Sequence, residues 1–363
     1  MSADDDAHGF VAPGYEAVRE ALAAHPSGGS ALCVLRDGAR VVDLREGWAD
    51  AARTRPWVER TLVNVYSVGK PVIALGVLLL VDRGLVGLDD PIARHWPGFR
   101  APASVRQVLT HTAGLPFFPV PRKASDWGDW DLLCADLAGA SPQWPPGTVA
   151  AEHALTYGHL LGEIIRRVDG RPPARFVAEE IAAPWGLDFG FGTAEPERCA
   201  ELEFDRPDRP ALMLGEPESV RTLAVLNPPG ARDLAVVNSP LWRDAVVPAV
   251  NLHATAGSLA RFYAGLLAGG ILDGRRLLSA ALVEDLTSAH FSGQDLFIES
   301  QTTWGLGVQL EPDGTWGMGG LGGNAAWADP KTGHAIAFVT RQLGDFDRVG
   351  AIDAAISSVR IPG

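Results

Sequence analysis

Cysteine is scarce in this chain of 363 residues, with only Cys33, Cys134 and Cys199. Their number is odd and their spacing fits no metal site, so neither a disulfide framework nor a bound metal is expected. The longest apolar run, residues 71–81, is too short to span a bilayer. The acidic beginning of the chain lacks the basic and apolar regions of a secretory signal. These absences predict a cytoplasmic protein without a cofactor, a metal or a membrane partner.

Positive charge is also in short supply. The formal net charge is −13 at pH 7, which argues against a nucleic-acid partner because phosphate neutralisation needs clustered lysine and arginine. A hydrophobic fraction of 47% supplies enough material for a large core, so the chain is long enough for more than one folding region. The composition leaves the oligomeric state open.

Lysine is the rarest charged residue, with three copies against 28 arginines. Lys70 follows Ser67 by three residues, and residues at this spacing share one face of a helix. Arginine cannot release its proton near neutral pH, so a lysine kept at this place favours a role for a free amine. We expect Ser67 to be a nucleophile that Lys70 activates. A serine helix cap followed by a solvent-facing lysine is the alternative that this spacing leaves open.

The pattern along the chain predicts an α/β (α+β) fold. Asp37-Gly38 between two apolar alternating stretches is typical of a hairpin, and the turn-rich C-terminal part reads as further strands. Helical periodicity is found at residues 15–24, 67–83, 105–110, 157–168, 252–267 and 346–358. Residues 1–66 and 225–363 are therefore expected to form one antiparallel sheet flanked by helices. Residues 67–224 should form a mostly helical region, irregular between about 110 and 157, with the active site in the cleft.

Several segments around the Ser67-x-x-Lys70 motif match a known family. They include Leu-Val-Asp-Arg-Gly-Leu-Val-Gly-Leu-Asp-Asp-Pro at 80–91, His-Trp-Pro at 95–97 and Leu-Thr-His-Thr-Ala-Gly-Leu-Pro at 109–116. As an ordered set they resemble the serine β-lactamase-like superfamily: class C β-lactamases, D-Ala-D-Ala carboxypeptidases and family VIII carboxylesterases. The resemblance extends from about residue 15 to the end of the chain. It implies a β-lactamase/penicillin-binding-protein-like fold and an acyl-enzyme on Ser67.

The second family element is a tyrosine motif, which Tyr157 matches in the segment His-Ala-Leu-Thr-Tyr-Gly-His. The resemblance implies that Tyr157 exchanges a proton with Ser67 and Lys70. His159 stands where β-lactamases carry asparagine, and we assign it to substrate binding. The residues of this segment are similar to those of the esterase branch. From the residues alone, a buried aromatic side chain at a helix start remains an alternative for Tyr157.

The third family element lies on a strand beside the nucleophile. Lys331-Thr332-Gly333 is identical in sequence to the β-lactamase motif, but its composition is typical of a hairpin turn. The Gly-rich residues 317–323 match better. By resemblance, Met318 takes the position of the basic residue, and the Leu321 N–H joins the Ser67 N–H in an oxyanion hole. Gly319 and Gly320 then allow a substrate to lie against the strand.

Met318 decides the expected substrate class. A thioether cannot bind a carboxylate as a basic residue does, so we expect weak or absent binding of penicillin-like and D-Ala-terminating compounds. The leading interpretation is a carboxylesterase that acts on a small uncharged ester through a Ser67 acyl-enzyme. A transesterase or an amide-forming or cyclising acyltransferase of secondary metabolism is the alternative. A β-lactamase or D-Ala carboxypeptidase and, last, a non-catalytic scaffold also remain open. His111 is expected to be a hydrogen-bonded core histidine.

Overall fold

Both ends of the chain contribute to the same antiparallel sheet. The computed structural model describes residues 7–193 and 195–359. This part of the chain contains the strands β1 His8–Val11, β2 Gly29–Arg36, β3 Ala39–Gly47, β4 Val63–Asn64, β5 Phe189–Phe191, β6 Glu203–Phe204, β7 Leu252–Ala254, β8 Ile271–Leu272, β9 Arg275–Arg276, β10 Phe291–Asp295, β11 Ser300–Trp304, β12 Gln309–Leu310, β13 Trp316–Gly320, β14 Asn324–Asp329, β15 His334–Thr340 and β16 Gln342–Leu343.

Nine of these strands form the main sheet in the order β1-β3-β2-β15-β14-β13-β12-β11-β10. All of its pairings are antiparallel, and β15 joins the two halves through a register that runs from His334↔Arg36 to Thr340↔Ser30. A second, three-stranded sheet has the order β4-β7-β5. Its strand β4 ends at Asn64, shortly before Ser67 in the chain.

The helices pack on both faces of the main sheet and form a separate layer beside it. They are α1 Glu16–Ala23, α2 Lys70–Asp82, α3 Ile92–His95, α4 Val105–Leu109, α5 Trp130–Gly139, α6 Tyr157–Asp169, α7 Pro173–Val177, α8 Ala183–Trp185, α9 Arg209–Leu212, α10 Val220–Leu226, α11 Leu234–Val237, α12 Pro240–Asp244, α13 Ala256–Leu267, α14 Ala280–Leu286 and α15 Asp347–Ser357. Helices α1 and α15 pack together over one sheet face, and α13 packs against β2 and β15.

Helix α2 is the centre of the helical layer. Residues 70–80 are all buried, as expected of a helix that is apolar on every side. It packs against α6 and α7. Pro71 fits its first turn, where a missing N–H costs nothing. The helix ends at Asp82, and Gly84 follows with a φ of +70°, which confirms the predicted end of this helix.

Local patterns predicted some of these elements. The Asp37-Gly38 hairpin and the turn at Lys331-Thr332-Gly333, between β14 and β15, are both confirmed. Helix α5 was not expected, because its segment is flanked by residues rich in proline and tryptophan. The segment predicted as one helix from residue 252 begins instead with strand β7, since the Thr255 side chain caps α13 by accepting from the Ser258 N–H.

The proposed division into residues 1–66 with 225–363 and residues 67–224 stays a prediction. The three cysteines are buried free thiols. Among the described residues, the helices are all too short or too polar to cross a membrane.

Candidate active site

The backbone before Ser67 places this residue at the start of a helix. Tyr66 has φ +52° and ψ −130°, a conformation that side-chain-bearing residues rarely adopt. Ser67 then begins a 3₁₀ turn, Ser67–Gly69, that leads directly into α2. Gly69 is required here because a Cβ atom would lie 2.6 Å from the Leu252 Cβ. Ser67 and Lys70 therefore share one helical turn, as the spacing predicted.

Lys70 is fully buried and points at the serine. Its Nζ donates to Ser67 Oγ at 2.6 Å and to the carbonyl oxygens of Ala154 and Ala249, each at 3.2 Å. Burial lowers the pKa of Lys70, and the neighbouring Glu152 carboxylate opposes this effect. The two carbonyls hold the amine in place, so that its remaining contacts are directed toward the reaction centre.

Glu152 is the third member of this group, and it was not among the site residues predicted from the sequence. Its Oε1 lies 2.8 Å from Lys70 Nζ and accepts from Ser67 Oγ at 3.2 Å. A hydroxyl that donates to a carboxylate while accepting from an ammonium is arranged to lose its proton. The available signal was a single carboxylate within the otherwise uncharged residues 149–157.

Asp295 positions Glu152 from strand β10. Its Oδ1 accepts the Glu152 backbone N–H at 3.1 Å and two further N–H groups, from Phe297 and Ile298, at 2.8 and 3.0 Å. The other oxygen accepts from Trp304 Nε1 at 3.0 Å. Burial raises the pKa of Asp295, and these backbone N–H bonds oppose the shift. The Glu152 backbone is therefore tied to the main sheet.

Two buried histidines hold the same segment from the other side. His111 Nδ1 accepts the His153 backbone N–H at 3.0 Å, which confirms the expected structural role of His111. His153 Nδ1 lies 2.9 Å from the Ala151 carbonyl, and its Nε2 accepts the Leu115 N–H at 3.3 Å. Burial lowers the pKa of His153 to about 4, so the ring is neutral near pH 7. Glu152 thus lies between Ala151 and His153, which these hydrogen bonds hold in place.

The structure does not place Tyr157 in this group. Its hydroxyl donates to the Leu109 carbonyl at 3.3 Å, and its ring lies against that of His111 with centroids 4.4 Å apart. Burial raises its pKa, and the Glu152 charge acts in the same direction. The described contacts of Ser67 and Lys70 are made with Glu152 and backbone carbonyls. The assignment of Tyr157 as their proton partner therefore finds no support in the geometry.

His159 is also away from the reaction centre. It is fully buried, and its ring stacks on Trp130 with centroids 4.6 Å apart. Phe118 and Trp127 surround it further. Burial lowers the pKa of His159 to about 3. It is absent from the described residues that line the cavity, so the structure gives it a core position rather than the predicted contact with substrate.

Strand β13 lies against the nucleophile, as the resemblance implied. A Cβ atom on Gly320 would lie 2.3 Å from the Val65 carbonyl oxygen and 3.4 Å from the Ser67 nitrogen, so only glycine permits this approach. Leu321 follows the strand directly. Met318, Gly319, Gly320 and Leu321 all line the cavity that contains Ser67. This placement is consistent with an oxyanion hole formed by the N–H groups of Ser67 and Leu321.

The cavity has a volume of about 410 Å³ and is open to solvent at one side. Leu155, Val250 and Ile298 are among the apolar side chains that line it. Ser67 and Glu152 line the cavity, whereas Lys70 is fully buried behind them. Within the described ranges there is no group of three or more histidine, cysteine or acidic side chains able to hold a metal ion.

Comparison with family models places this site in context. The model of the Beta-lactamase family matches residues 16–359. The chain belongs to the beta-lactamase family. The predicted family is therefore confirmed over nearly the whole chain.

Individual members of the beta-lactamase family agree with this assignment. The Esterase/beta-lactamase LipL of Mycobacterium tuberculosis is 34% identical over 344 residues, which cover 87% of this chain and 77% of LipL. A crystal structure of a family VIII carboxylesterase superposes with a TM-score of 0.87 at 32% identity, covering 97% of this chain and 99% of that one. A penicillin-binding protein homologue from Caulobacter crescentus gives a TM-score of 0.87 at 35% identity, covering 97% and 100%. The predicted fold class is confirmed.

Proposed function

We propose that this protein is a serine carboxylesterase that works through a Ser67 acyl-enzyme, with Glu152 in the proton-transfer role that the resemblance implied for Tyr157. The observation that carries the proposal is the contact of one carboxylate oxygen of Glu152 with both Ser67 Oγ and Lys70 Nζ at the wall of an open cavity. The esterase named among the relatives and the family VIII carboxylesterase structure support the reaction class.

Acylation begins when Ser67 Oγ attacks the ester carbonyl carbon and its proton passes to Glu152. The carbonyl oxygen becomes an oxyanion, to which the N–H groups of Ser67 and Leu321 donate. When the intermediate collapses, the bond to the alcohol oxygen breaks, and Glu152 returns the proton to that oxygen. The alcohol leaves, and the acyl group remains on Ser67.

Deacylation repeats these steps with water. Glu152 takes a proton from the water molecule that attacks the acyl carbonyl, and it returns this proton to Ser67 Oγ as the acid departs. Lys70 stays an ammonium in this scheme. It donates to Ser67 Oγ and thereby stabilises the developing alkoxide, while the Ala154 and Ala249 carbonyls hold it.

The region next to the scissile carbonyl favours a neutral group. Met318 is buried beside Ala150 and Trp304, and it supplies no charge at the position where the resemblance expects a basic residue. An ester whose carbonyl carries an apolar substituent therefore fits this part of the cavity better than a β-lactam with an adjacent carboxylate.

The test is intact-protein mass spectrometry and nitrophenol release with a short p-nitrophenyl ester, with nitrocefin and penicillin as parallel substrates. We expect an acyl adduct and turnover with the ester, and both should be lost in Ser67→Ala and Lys70→Ala variants that keep their circular dichroism spectra. Full activity of Ser67→Ala would refute the mechanism. An adduct that forms but resists water would indicate transfer to another acceptor, and turnover of the β-lactams alone would indicate a lactamase.

A further inference from the structure

Three arginines line the cavity, and they differ in their partners. Arg209 forms an ion pair with Asp205, and Arg221 lies 3.2 Å from Glu299. Arg232 has no carboxylate within ion-pair distance among the described residues. Its Nη1 donates to the neutral Pro210 carbonyl at 2.8 Å, and its buried Nε has no hydrogen-bond partner there. Arg232 is therefore the cavity arginine whose charge the protein itself leaves uncompensated.

A second unsatisfied group lies in the same cavity. The Tyr66 side chain is 2% exposed, and its hydroxyl has no hydrogen-bond partner among the described residues. Burial raises the pKa of Tyr66, and the charge of Arg232 opposes this shift, so the two groups are electrostatically coupled. Burial in turn lowers the pKa of Arg232. A buried hydroxyl without a hydrogen-bond partner and a half-buried guanidinium without an acidic partner each cost free energy that a ligand can recover.

We propose that Arg232 and the Tyr66 hydroxyl form a subsite for a carboxylate carried by the ester substrate. The proposal rests on the esterase function above, because it uses the same cavity and places the anion beside the residue that precedes Ser67. A guanidinium and a phenol hydroxyl both donate hydrogen bonds, and a carboxylate accepts from several donors at once. One free positive charge matches one carboxylate, whereas a phosphate dianion would need the charges that Arg209 and Arg221 already share with acids.

This subsite changes the substrate expected from the sequence. Met318 removes a positive charge at the strand position of the family motif, which predicted an uncharged ester. Arg232 supplies a positive charge from a different wall, in the segment between α10 and α11. The scissile carbonyl then keeps a neutral neighbour, while a carboxylate elsewhere in the molecule is bound. The carboxylate has two possible origins, the acyl chain or the alcohol.

Two substrate pairs separate these origins. Monomethyl adipate carries the carboxylate on the acyl chain, and its neutral partner is the methyl ester in which isopropyl replaces that carboxylate. The para-carboxyphenyl and para-isopropylphenyl acetates form the corresponding pair for the alcohol side. We expect kcat/KM to favour the charged member of one pair by about tenfold or more in the wild-type protein. The pair that shows the preference assigns the origin.

The variants Arg232→Met and Tyr66→Phe should lower this charged-to-neutral ratio, the former to about one. Arg221→Met is the matched control, since it removes a cavity arginine that already has an acidic partner, and it should retain the ratio. Preference for the neutral member in both wild-type pairs would overturn the subsite even if Arg232→Met failed to fold. A preference that survives in folded Arg232→Met would do the same. If the wild-type protein hydrolysed none of the four esters, this result would instead overturn the esterase proposal, and the subsite with it.

Discussion

Replacing Glu152 with glutamine keeps the shape of the side chain but removes its charge and its capacity to take a proton. In the structure this carboxylate contacts Ser67 Oγ at 3.2 Å and Lys70 Nζ at 2.8 Å. The variant therefore tests whether the carboxylate, rather than Tyr157, moves the serine proton. The backbone of residue 152 should stay in place, because Asp295 binds its N–H and not its side chain.

The loss of activity expected for Glu152→Gln has two sources. A positioned general base contributes roughly 10² to 10⁴ in rate, which sets the size of the decrease in kcat/KM. The variant also removes the partner of a fully buried ammonium: at an effective dielectric constant of about 20, two unit charges 2.8 Å apart interact by roughly 6 kcal/mol. Only burial then acts on the pKa of Lys70, which falls further. Any remaining activity depends on neutral Lys70 as the base and should rise with pH.

The assay is kcat/KM for a p-nitrophenyl ester across the pH range, together with the acylation rate from the burst of nitrophenol. Tyr157→Phe is the control, since it removes only the 3.3 Å hydrogen bond to the Leu109 carbonyl. It should cost about 1 kcal/mol of stability and retain most of the activity. Wild-type kinetics in Glu152→Gln would refute the role of Glu152. Equal losses in Tyr157→Phe and Ser67→Ala would restore Tyr157 as the proton partner.

Three further predictions concern the surroundings of the site. Asp295→Asn should lower Tm and reduce kcat more than it changes KM, because an amide donor would face Trp304 Nε1 and displace the Glu152 backbone; unchanged kcat would contradict this positioning role. In the folded state, burial lowers the pKa of His159 to about 3, so the ring stays neutral. Its contribution to the unfolding free energy is therefore fully present above the unfolded pKa of 6.5 and is lost as the pH falls below that value. His159→Phe should therefore reduce the loss of unfolding free energy between about pH 7 and about pH 5 by roughly 2 kcal/mol in urea titrations, and an unchanged loss would argue against a buried neutral ring. Met318→Lys should lower KM for a penicillin relative to a neutral ester; an unchanged ratio would contradict the alignment of β13 with the family motif.

Local interactions made much of the fold predictable. The Asp37-Gly38 hairpin, strand β15 and the end of α2 before Gly84 all follow from turn chemistry and periodicity within a few residues. Helix α5 was missed because the composition of its flanks is typical of irregular structure. Strand β7 was missed because it is only three residues long, and only the cap at Thr255 separates it from α13.

The sequence by itself placed Ser67 and Lys70 on one face of a helical turn, since residues three apart lie side by side there. The carbonyls of Ala154 and Ala249 then hold the amine where it donates to the serine. Only the tertiary structure decided the third partner of Ser67 and Lys70. Glu152 is 85 residues from Ser67 and precedes α6, in a stretch without helical or strand periodicity, so no local rule states which way its side chain points. Contacts with His111, His153 and Asp295 direct the Glu152 segment to the serine. The folding of distant segments against one another likewise brings Arg232 and Tyr66 to the lining of one cavity, and neither residue's neighbours in the chain indicate that placement.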